Sequence, residues 1–210
     1  MTTFEVVEKQ ENDFLCWNNW FDVTFKANLD QRWPTMKVAL NLLNQMNRPV
    51  NIVETGCVRQ RHDWGGGMST LLFGEYVQRY GGKVVTIDNA PANIEICKVI
   101  TKDYSHHIKY VLSDSLAELE RMATEDGLKI DLLYLDSLDC PIDGSSAYPS
   151  QEHTAEEFRL AESMLHSKSI VLIDDSGFAN GGKAGIVNLI LGSWGWTCLM
   201  THQQSLWLKL

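Results

Sequence analysis

The sequence predicts a doubly wound α/β fold with a seven-stranded, mostly parallel sheet. Five short β-branched runs alternate with segments of helical periodicity, and the chain ends in two apolar runs with a very short connection. Of its 210 residues 44% are hydrophobic, enough to bury the core of such a sheet. We expect a single domain over residues 1–210, with an N-terminal extension over residues 1–49 and an α/β core over residues 50–210.

The predicted strands are short apolar runs, as is typical of strands buried on both faces of a sheet. They lie at residues 50–53, 83–87, 108–112, 130–135 and 169–173. Between them, apolar residues recur with helical spacing at residues 69–80, 92–103, 115–126 and 155–165. Because strand and helix alternate, we expect parallel strands with helices packed against the sheet.

Both ends of the chain depart from this alternation. The last two apolar runs, residues 194–200 and 205–210, are joined by residues 201–204 alone, so they predict an antiparallel hairpin whose last strand runs against the others. Near the N-terminus, a predicted helix at residues 34–46 follows a segment rich in tryptophan and phenylalanine. Three interpretations of that segment stay open: it covers a substrate pocket, it forms a contact in a homo-oligomer, or it is a helix that packs on the sheet.

The net charge of the protein argues against some classes of binding partner. Lysine and arginine number 18 against 27 aspartates and glutamates, and the formal net charge is −9. This balance argues against general binding of nucleic-acid phosphates or of an anionic membrane. No stretch approaches the ~18 consecutive apolar residues of a membrane span. We expect a cytoplasmic protein that acts on a small molecule.

Acidic, glycine and hydroxyl residues follow the first predicted strand, at the edge where open α/β sheets bind ligands. Glu54 and Gly56 end that strand. A glycine run then reaches Gly67, and Ser69 or Thr70 can cap the helix that follows. Glycines allow a backbone to approach a ligand closely. This pattern predicts a ligand-binding loop.

Asp88 ends the second predicted strand, about 20 positions after the glycine run. An acid at that offset is typical of hydrogen bonding to ribose hydroxyls, so the loop and the acid together predict an adenosine-containing cofactor. The loop lacks the GxGxxG turn that seats a dinucleotide pyrophosphate. Glu54 would repel a pyrophosphate but favour an ammonium group, as S-adenosylmethionine carries.

With these features, residues 35–210 resemble the class I S-adenosylmethionine-dependent methyltransferases. The run from Glu54 through Gly56 to the later glycines resembles the first motif of that family, although the stretch between Gly56 and Gly65 is longer here. Asp88 resembles the family's ribose acid. The resemblance implies S-adenosylmethionine as cofactor and a Rossmann-like methyltransferase fold with a reversed seventh strand.

Other segments carry the same resemblance. Asp114 and Ser115, after the third predicted strand, resemble the segment that contacts adenine. Asp136, after the fourth, falls where the family places groups that face the cofactor and the substrate. In the long loop after the first strand, Arg59 suits either a contact with the methionine carboxylate or with a substrate. The alternative is a solvated loop stiffened by Trp64.

Three aspartates are expected together at one point of the sheet edge. Asp136 and Asp174 end neighbouring strands, about one strand spacing (~5 Å) apart, and Asp175 follows Asp174. Such acids repel one another unless a cation or proton lies among them, and a divalent ion such as Mg²⁺ or Ca²⁺ suits oxygen ligands. The arrangement is similar to the metal-dependent O-methyltransferases of the catechol and caffeoyl-CoA type, which implies all three as metal ligands.

Three interpretations of these acids stay open. A metal would lower the pKa of an acceptor hydroxyl and align its oxygen with the methyl group. Without a metal, Asp136, Asp174 or His153 would serve as general base, with His153 expected just before the helix that leads to the fifth strand. The third interpretation is that the acids are structural and cap loops.

Two loops are expected beside the acceptor, at residues 139–151 and 177–183, and Phe178 in the second is available to close on a ring or sugar. The predicted function is methyl transfer to an oxygen of a small-molecule or sugar-like acceptor. The alternatives are a nicotinamide-dependent oxidoreductase and a non-catalytic nucleotide-binding module of the same fold. The identity of the acceptor depends on the shape of the loops, which the sequence does not predict.

Overall fold

The computed structural model describes residues 17–66, 68–141 and 146–210. Its seven strands form one sheet. They are β1 (Val50–Thr55), β2 (Gly82–Asp88), β3 (Ile108–Leu112), β4 (Ile130–Leu135), β5 (Leu165–Ile173), β6 (Thr197–Thr201) and β7 (Ser205–Leu208). The strand order is β3-β2-β1-β4-β5-β7-β6. The order reverses between β1 and β4, so the loops there diverge and leave room for ligands.

Strands β1 to β5 are parallel, whereas β7 runs antiparallel to both β5 and β6. The predicted seven-stranded sheet with a reversed last strand is therefore confirmed. The longer α-helices are α1 (Trp33–Asn44), α2 (Ser69–Tyr80), α3 (Pro91–Ile100), α4 (Ser115–Arg121), α5 (Tyr148–Ala161) and α6 (Gly185–Ser193).

Apolar clusters cover both faces of the sheet. One face packs against α1, α2 and the aromatic segment that precedes α1. The other face packs against α4, α5 and α6. Alternate residues of one strand supply the two clusters, as with Leu132 and Leu133 of β4, because successive side chains in a strand point to opposite faces. This layering is the doubly wound arrangement that the sequence predicts.

The aromatic segment before α1 is part of the core. Trp17 and Phe21 are fully buried and stack with ring centroids 5.7 Å apart. Phe25 meets Trp64 edge to face at 6.0 Å, which ties this segment to the loop after β1. Of the interpretations of this segment, the structure supports a helix packed against the sheet. Among the described residues, no helix has the length and apolarity needed to cross a bilayer.

Several elements differ from the sequence prediction. Helix α5 begins at Tyr148 rather than near residue 155, because Pro149 occupies its first turn, where a missing N–H is harmless. His153 consequently lies inside this helix instead of before it. Helix α6 was not predicted from periodicity. The expected loop at 177–183 is largely a tight turn that continues into a short 3₁₀ segment, Ala179–Ala184.

Candidate active site

A cavity opens at the carboxyl ends of β1 to β4, and we call it cavity A. Its lining includes six residues that the sequence predicts as site residues, namely Gly56, Asp88, Asp114, Ser115, Asp136 and His153. Parallel strands bring their carboxyl ends to the same edge of a sheet, so residues distant in sequence meet there. The structure therefore brings these six predicted residues together around one cavity.

Gly56 shapes the wall of cavity A between β1 and β4. Its φ angle is +81°, and a Cβ atom there would lie 2.5 Å from the carbonyl oxygen of Asp136. Any side chain would therefore meet backbone as well as require a left-handed conformation. Glycine is needed here because the chain crosses the end of β4 at close range.

Asp88 is held firmly at the end of β2. Its carboxylate accepts hydrogen bonds from the backbone N–H of Ala90 (2.8 Å) and from the side-chain amide of Asn93 (3.2 Å to each oxygen). The Cys57 thiol lies 3.4 Å from its second oxygen. A carboxylate and an amide side by side match a vicinal pair of hydroxyl groups, which donate and accept together.

The far wall of cavity A is formed where α4 and α5 meet. Asp114 is the N-cap of α4 and accepts from the first free N–H groups of that helix. The Ser115 hydroxyl lies 3.1 Å from Nε2 of His153, and Glu157 Oε1 lies 3.3 Å from the same nitrogen. The neighbouring carboxylate of the buried Glu157 raises the pKa of His153. Both contacts use one ring nitrogen, which is not the geometry of a serine–histidine–acid triad.

Glu54 lies behind the cavity wall rather than in it. It is fully buried, and its carboxylate accepts hydrogen bonds from the hydroxyls of Ser69, Thr70 (2.6 Å) and Thr86 (2.8 Å). Burial raises the pKa of Glu54 to about 7, while the three hydroxyl groups oppose that rise. Glu54, Ser69 and Thr70 are outside the lining of cavity A, and their mutual hydrogen bonds support the loop and α2. Gly67 lies outside the described residues.

A second cavity, which we call cavity B, adjoins cavity A at Asp136 and Arg59. Its lining includes the other two predicted acids, Asp174 and Asp175, together with Arg32 and the ring of Phe178. The three aspartates thus meet at the ends of β4 and β5 as expected. Asp136 stands at the junction of the two cavities.

Two basic side chains lie among the three aspartates. Lys183 Nζ donates a hydrogen bond to Asp136 and lies 3.3 Å from Asp175. Arg32 Nε lies 2.9 and 3.0 Å from the two oxygens of Asp174, and Arg32 Nη2 lies 3.4 Å from Asp175. The result is an alternating chain of charges from Asp136 to Asp174. It occupies the position in which the sequence predicts a metal ion.

Burial and neighbouring charges have opposite effects on the pKa values of Asp136, Asp175 and Lys183. Burial raises the pKa of Asp136 well above its ordinary value, and Asp174 adds to the rise, although Lys183 opposes it. Burial also raises the pKa of Asp175, again against the effect of Lys183. For Lys183, burial would lower the pKa, but the neighbouring carboxylates outweigh it and the pKa is raised. Lys183 is therefore a cation at neutral pH.

The donor set at the aspartates does not fit a divalent cation. Both oxygens of Asp174 are engaged by Arg32, and Lys183 lies between Asp136 and Asp175. A metal ion at this point would face two fixed positive charges. Across residues 17–66, 68–141 and 146–210, no group of three or more acidic, histidine or cysteine side chains is arranged to hold a metal.

A series of buried hydrogen bonds connects Asp136 to the protein core. The Tyr134 hydroxyl lies 3.4 Å from Asp136 Oδ2, and Gln204 donates to the Tyr134 oxygen at 3.2 Å. Thr35 of α1 in turn donates to Gln204 at 2.5 Å. Tyr134, Gln204 and Thr35 are fully buried, so α1, β4 and the β6–β7 turn together fix the position of Asp136.

The long loop after β1 closes over the junction of the cavities. Arg59, which the sequence proposes as a ligand contact, forms a two-point ion pair with Asp139 at 2.8 and 3.2 Å. Asp139 lies in the segment that follows β4. Both side chains are exposed, so the pair adds little to stability and is free to rearrange when a ligand binds.

Several residues of the site could not be read from the sequence. Arg32 precedes the sheet by many residues, and no local pattern links it to Asp174. Lys183 lies in the segment predicted as an open loop. Asn93 sits five positions after Asp88, and its place in the first turn after β2 is the one signal that could have been used.

The fold is that of the class I S-adenosylmethionine-dependent methyltransferases. The sequence matches the family model described as a methyltransferase domain over residues 64–176, which is more than half of the chain. The chain belongs to this family. The nicotinamide-dependent alternative is accordingly set aside. No curated protein shows significant sequence similarity to the chain.

Solved structures share the fold at low sequence identity. The O-methyltransferase from Bacillus cereus, solved with SAH, is 16% identical with a TM-score of 0.57, covering 91% of this chain and 96% of that one. TomG from Streptomyces achromogenes, involved in tomaymycin synthesis and solved with SAM, is 16% identical at a TM-score of 0.57, covering 81% and 77%. CalS11, a TDP-rhamnose 3′-O-methyltransferase of calicheamicin biosynthesis, is 17% identical at 0.55, covering 99% and 96%.

Proposed function

We propose that this methyltransferase transfers the methyl group of S-adenosylmethionine to a hydroxyl oxygen of a small-molecule or sugar-like acceptor. The position of Asp136 carries the proposal, because its side chain lines both cavity A and cavity B. Cavity A would hold the cofactor and cavity B the acceptor. A carboxylate at the junction then reaches the group that must lose a proton.

Different residues of cavity A are suited to bind the ribose, the adenine and the amino-acid portion of the cofactor. Asp88 and Asn93 would bind the ribose hydroxyls, since a carboxylate accepts from both hydroxyls and the amide can donate. Asp114 and Ser115 would contact the adenine. Gly56 leaves room for the amino-acid portion, and Glu54, tied to Ser69 and Thr70, would keep the loop that surrounds it in place.

S-Adenosylmethionine supplies an electrophilic methyl group on a sulfonium centre. In our proposal Asp136 accepts the proton of the acceptor hydroxyl, and its raised pKa makes it a stronger base than an exposed aspartate. The cofactor, when bound, would supply its methyl group to the oxygen that Asp136 has deprotonated, and S-adenosylhomocysteine would leave. Asp136 releases the proton to solvent when the products leave.

Asp174 and His153 are less suited to the role of base. Both oxygens of Asp174 bind Arg32, so Asp174 serves to position that arginine. His153 lines cavity A and contacts Ser115, which suits a contact with the cofactor rather than with the acceptor. Asp136 combines access to both cavities with a position fixed by Tyr134 and Lys183.

The lining of cavity B favours a hydroxyl-bearing acceptor. Four aspartates and two arginines offer acceptors and donors for hydroxyl groups, and Phe178 adds an apolar face on which a ring can lie. O-methyltransferases recur among the structural neighbours, and CalS11 is named for a sugar acceptor. These similarities support oxygen as the target and a sugar-like ring as one form of acceptor.

The test is a transfer assay with methyl-labelled S-adenosylmethionine and paired acceptors that differ only by hydroxyl or amine. We expect label in the hydroxyl members and a fall in kcat of about 10²-fold or more in Asp136→Asn. Asp103→Asn, at an exposed aspartate that lines neither cavity, is the control and should retain kcat. Label in the amines alone, or an unchanged kcat in Asp136→Asn, would contradict the proposal.

A further inference from the structure

Lys183 is a buried cation enclosed by the acids of the candidate site. Its side chain is only 1% exposed. Nζ binds Asp136 Oδ1 and lies 3.3 Å from Asp175 Oδ2. An ammonium group is rarely buried so fully unless carboxylates compensate it, so its position here is specific.

The chain reaches this position through a strained turn. Asn180, Gly181 and Gly182 have consecutive positive φ angles of 57°, 83° and 51°. A Cβ atom on Gly182 would lie 1.6 Å from the carbonyl oxygen of Asp175, so a side chain there would prevent the turn. Gln151 of α5 donates to the carbonyl of Asn180 at 3.1 Å and holds the turn in place. The Asn-Gly-Gly sequence directs the following lysine inward.

Lys183 and Arg32 together leave one face of Asp136 available. Lys183 takes Oδ1 of Asp136, whereas Oδ2, among the residues that the structure describes, has only the long 3.4 Å contact with the Tyr134 hydroxyl. Arg32 engages Asp174 at both oxygens. The acids are therefore compensated by two fixed side chains, and Oδ2 of Asp136 is the oxygen that remains able to accept a proton.

We propose that Lys183 takes the place of a divalent cation in this methyltransferase. It is a positioning residue, which compensates the charge of Asp136 and Asp175 and turns Asp136 Oδ2 towards the acceptor, so that transfer proceeds without a bound metal. The inference rests on the proposed O-methyl transfer for its catalytic consequence, but the occupation of the acid cluster by Lys183 is independent of it.

The first experiment measures Mn²⁺ binding to the full chain by electron paramagnetic resonance. Wild type should show no saturable Mn²⁺ site. Lys183→Ala should gain one site per chain, because three aspartates then face a single arginine. Lys98→Ala, which removes an exposed lysine paired with Glu95, is the control and should match wild type. A saturable site in wild type, or none in folded Lys183→Ala, would overturn the proposal.

The second experiment measures transfer and cofactor binding. Wild type should keep its kcat in EDTA, and Lys183→Met should lose about 10²-fold in kcat while its affinity for SAH by calorimetry stays within about twofold. Added Mn²⁺ should restore part of the kcat of Lys183→Ala. Loss of wild-type activity in EDTA, restored by a divalent cation, would overturn the proposal. Because this measurement uses wild type alone, it tests the proposal even if the variants do not fold.

The two proposals fail in different ways. If no hydroxyl acceptor is methylated, the proposed function fails, while the Mn²⁺ spectra still test the position of Lys183. If wild type methylates a hydroxyl only with a divalent cation bound, the proposed function stands and the role of Lys183 is wrong.

Discussion

Arg32 binds Asp174 through both carboxylate oxygens, at 2.9 and 3.0 Å, and so joins the segment before α1 to the end of β5. The same guanidinium donates to the carbonyl oxygen of Gly65 at 2.9 Å. One side chain thus connects the N-terminal segment, the loop after β1 and the reacting end of the sheet. Its removal should affect stability as well as the shape of cavity B.

We predict that Arg32→Met lowers the free energy of unfolding by about 3 kcal/mol, because it leaves the buried Asp174 carboxylate unpaired. Urea unfolding at neutral pH measures the change. Adding Asp174→Asn to Arg32→Met should recover part of the loss. Arg159→Met, which breaks an exposed pair with Glu156, should cost less than about 1 kcal/mol. Equal losses in the two single variants would show that the Arg32 pair is no stronger than a surface pair.

Asp88 is predicted to contribute directly to cofactor binding. Asp88→Ala should weaken SAH binding by about 10- to 100-fold, the usual range for a lost hydrogen bond to a charged group. Asp88→Asn should weaken it less, since the amide oxygen still accepts. Isothermal calorimetry compares them with Asp103→Ala, an aspartate between α3 and β3. Wild-type affinity in Asp88→Ala would remove Asp88 from the ribose site.

We predict that Gly56→Ala lowers the free energy of unfolding by more than the positive φ angle of Gly56 alone would cause. Gly56 and Gly195 have nearly equal φ angles of +81° and +79°, but a Cβ at Gly195 has nothing within 4 Å. Gly195→Ala should therefore cost only the left-handed conformation, about 1 kcal/mol. Gly56→Ala should cost at least about 1 kcal/mol more, from contact with Asp136, and should weaken SAH binding. Chemical denaturation compares the pair, and equal losses would contradict the close approach.

The burial of Glu54 predicts a specific pH dependence of stability. Its pKa is raised from 4.5 to about 7 in the folded chain. Between these pH values the folded chain holds a proton that the unfolded chain has released, so the free energy of unfolding falls as pH rises. The contribution is about 3 kcal/mol across this window.

Glu54→Gln removes this titration and should flatten the decline between pH 4.5 and 7, as measured by denaturant unfolding across that range. The exposed Glu95→Gln is the control and should follow wild type. If Glu54→Gln keeps the wild-type slope, Glu54 does not carry the buried proton.

The sheet and its strand-end residues could be predicted because their signals are local. Buried strands are short β-branched runs, and Asp88 and Asp136 are recognisable as the polar residues that end them. Parallel pairing then brings the ends together without further information. The sequence places the start of α5 too late, because Pro149 is typical of a loop as well as of the first turn of a helix.

The charge balance of the acids could not be predicted, because it depends on contacts between distant segments. Arg32 and Asp174 are 142 positions apart, and Lys183 reaches Asp136 only through a turn whose three positive φ angles have no unique sequence signature. From the sequence, a divalent ion is one of three interpretations of the converging aspartates. In the structure, lysine and arginine side chains lie among them. Glu54 illustrates the same limit, since the hydroxyls that surround it come from two other elements.

A crystal structure with SAH bound tests the central claim most directly. We predict that the ribose hydroxyls lie within hydrogen-bond distance of Asp88 and that the sulfur atom faces the junction of the cavities beside Asp136. Lys183 should remain between Asp136 and Asp175. A ligand bound elsewhere, or a sulfur atom directed away from Asp136, would contradict the account.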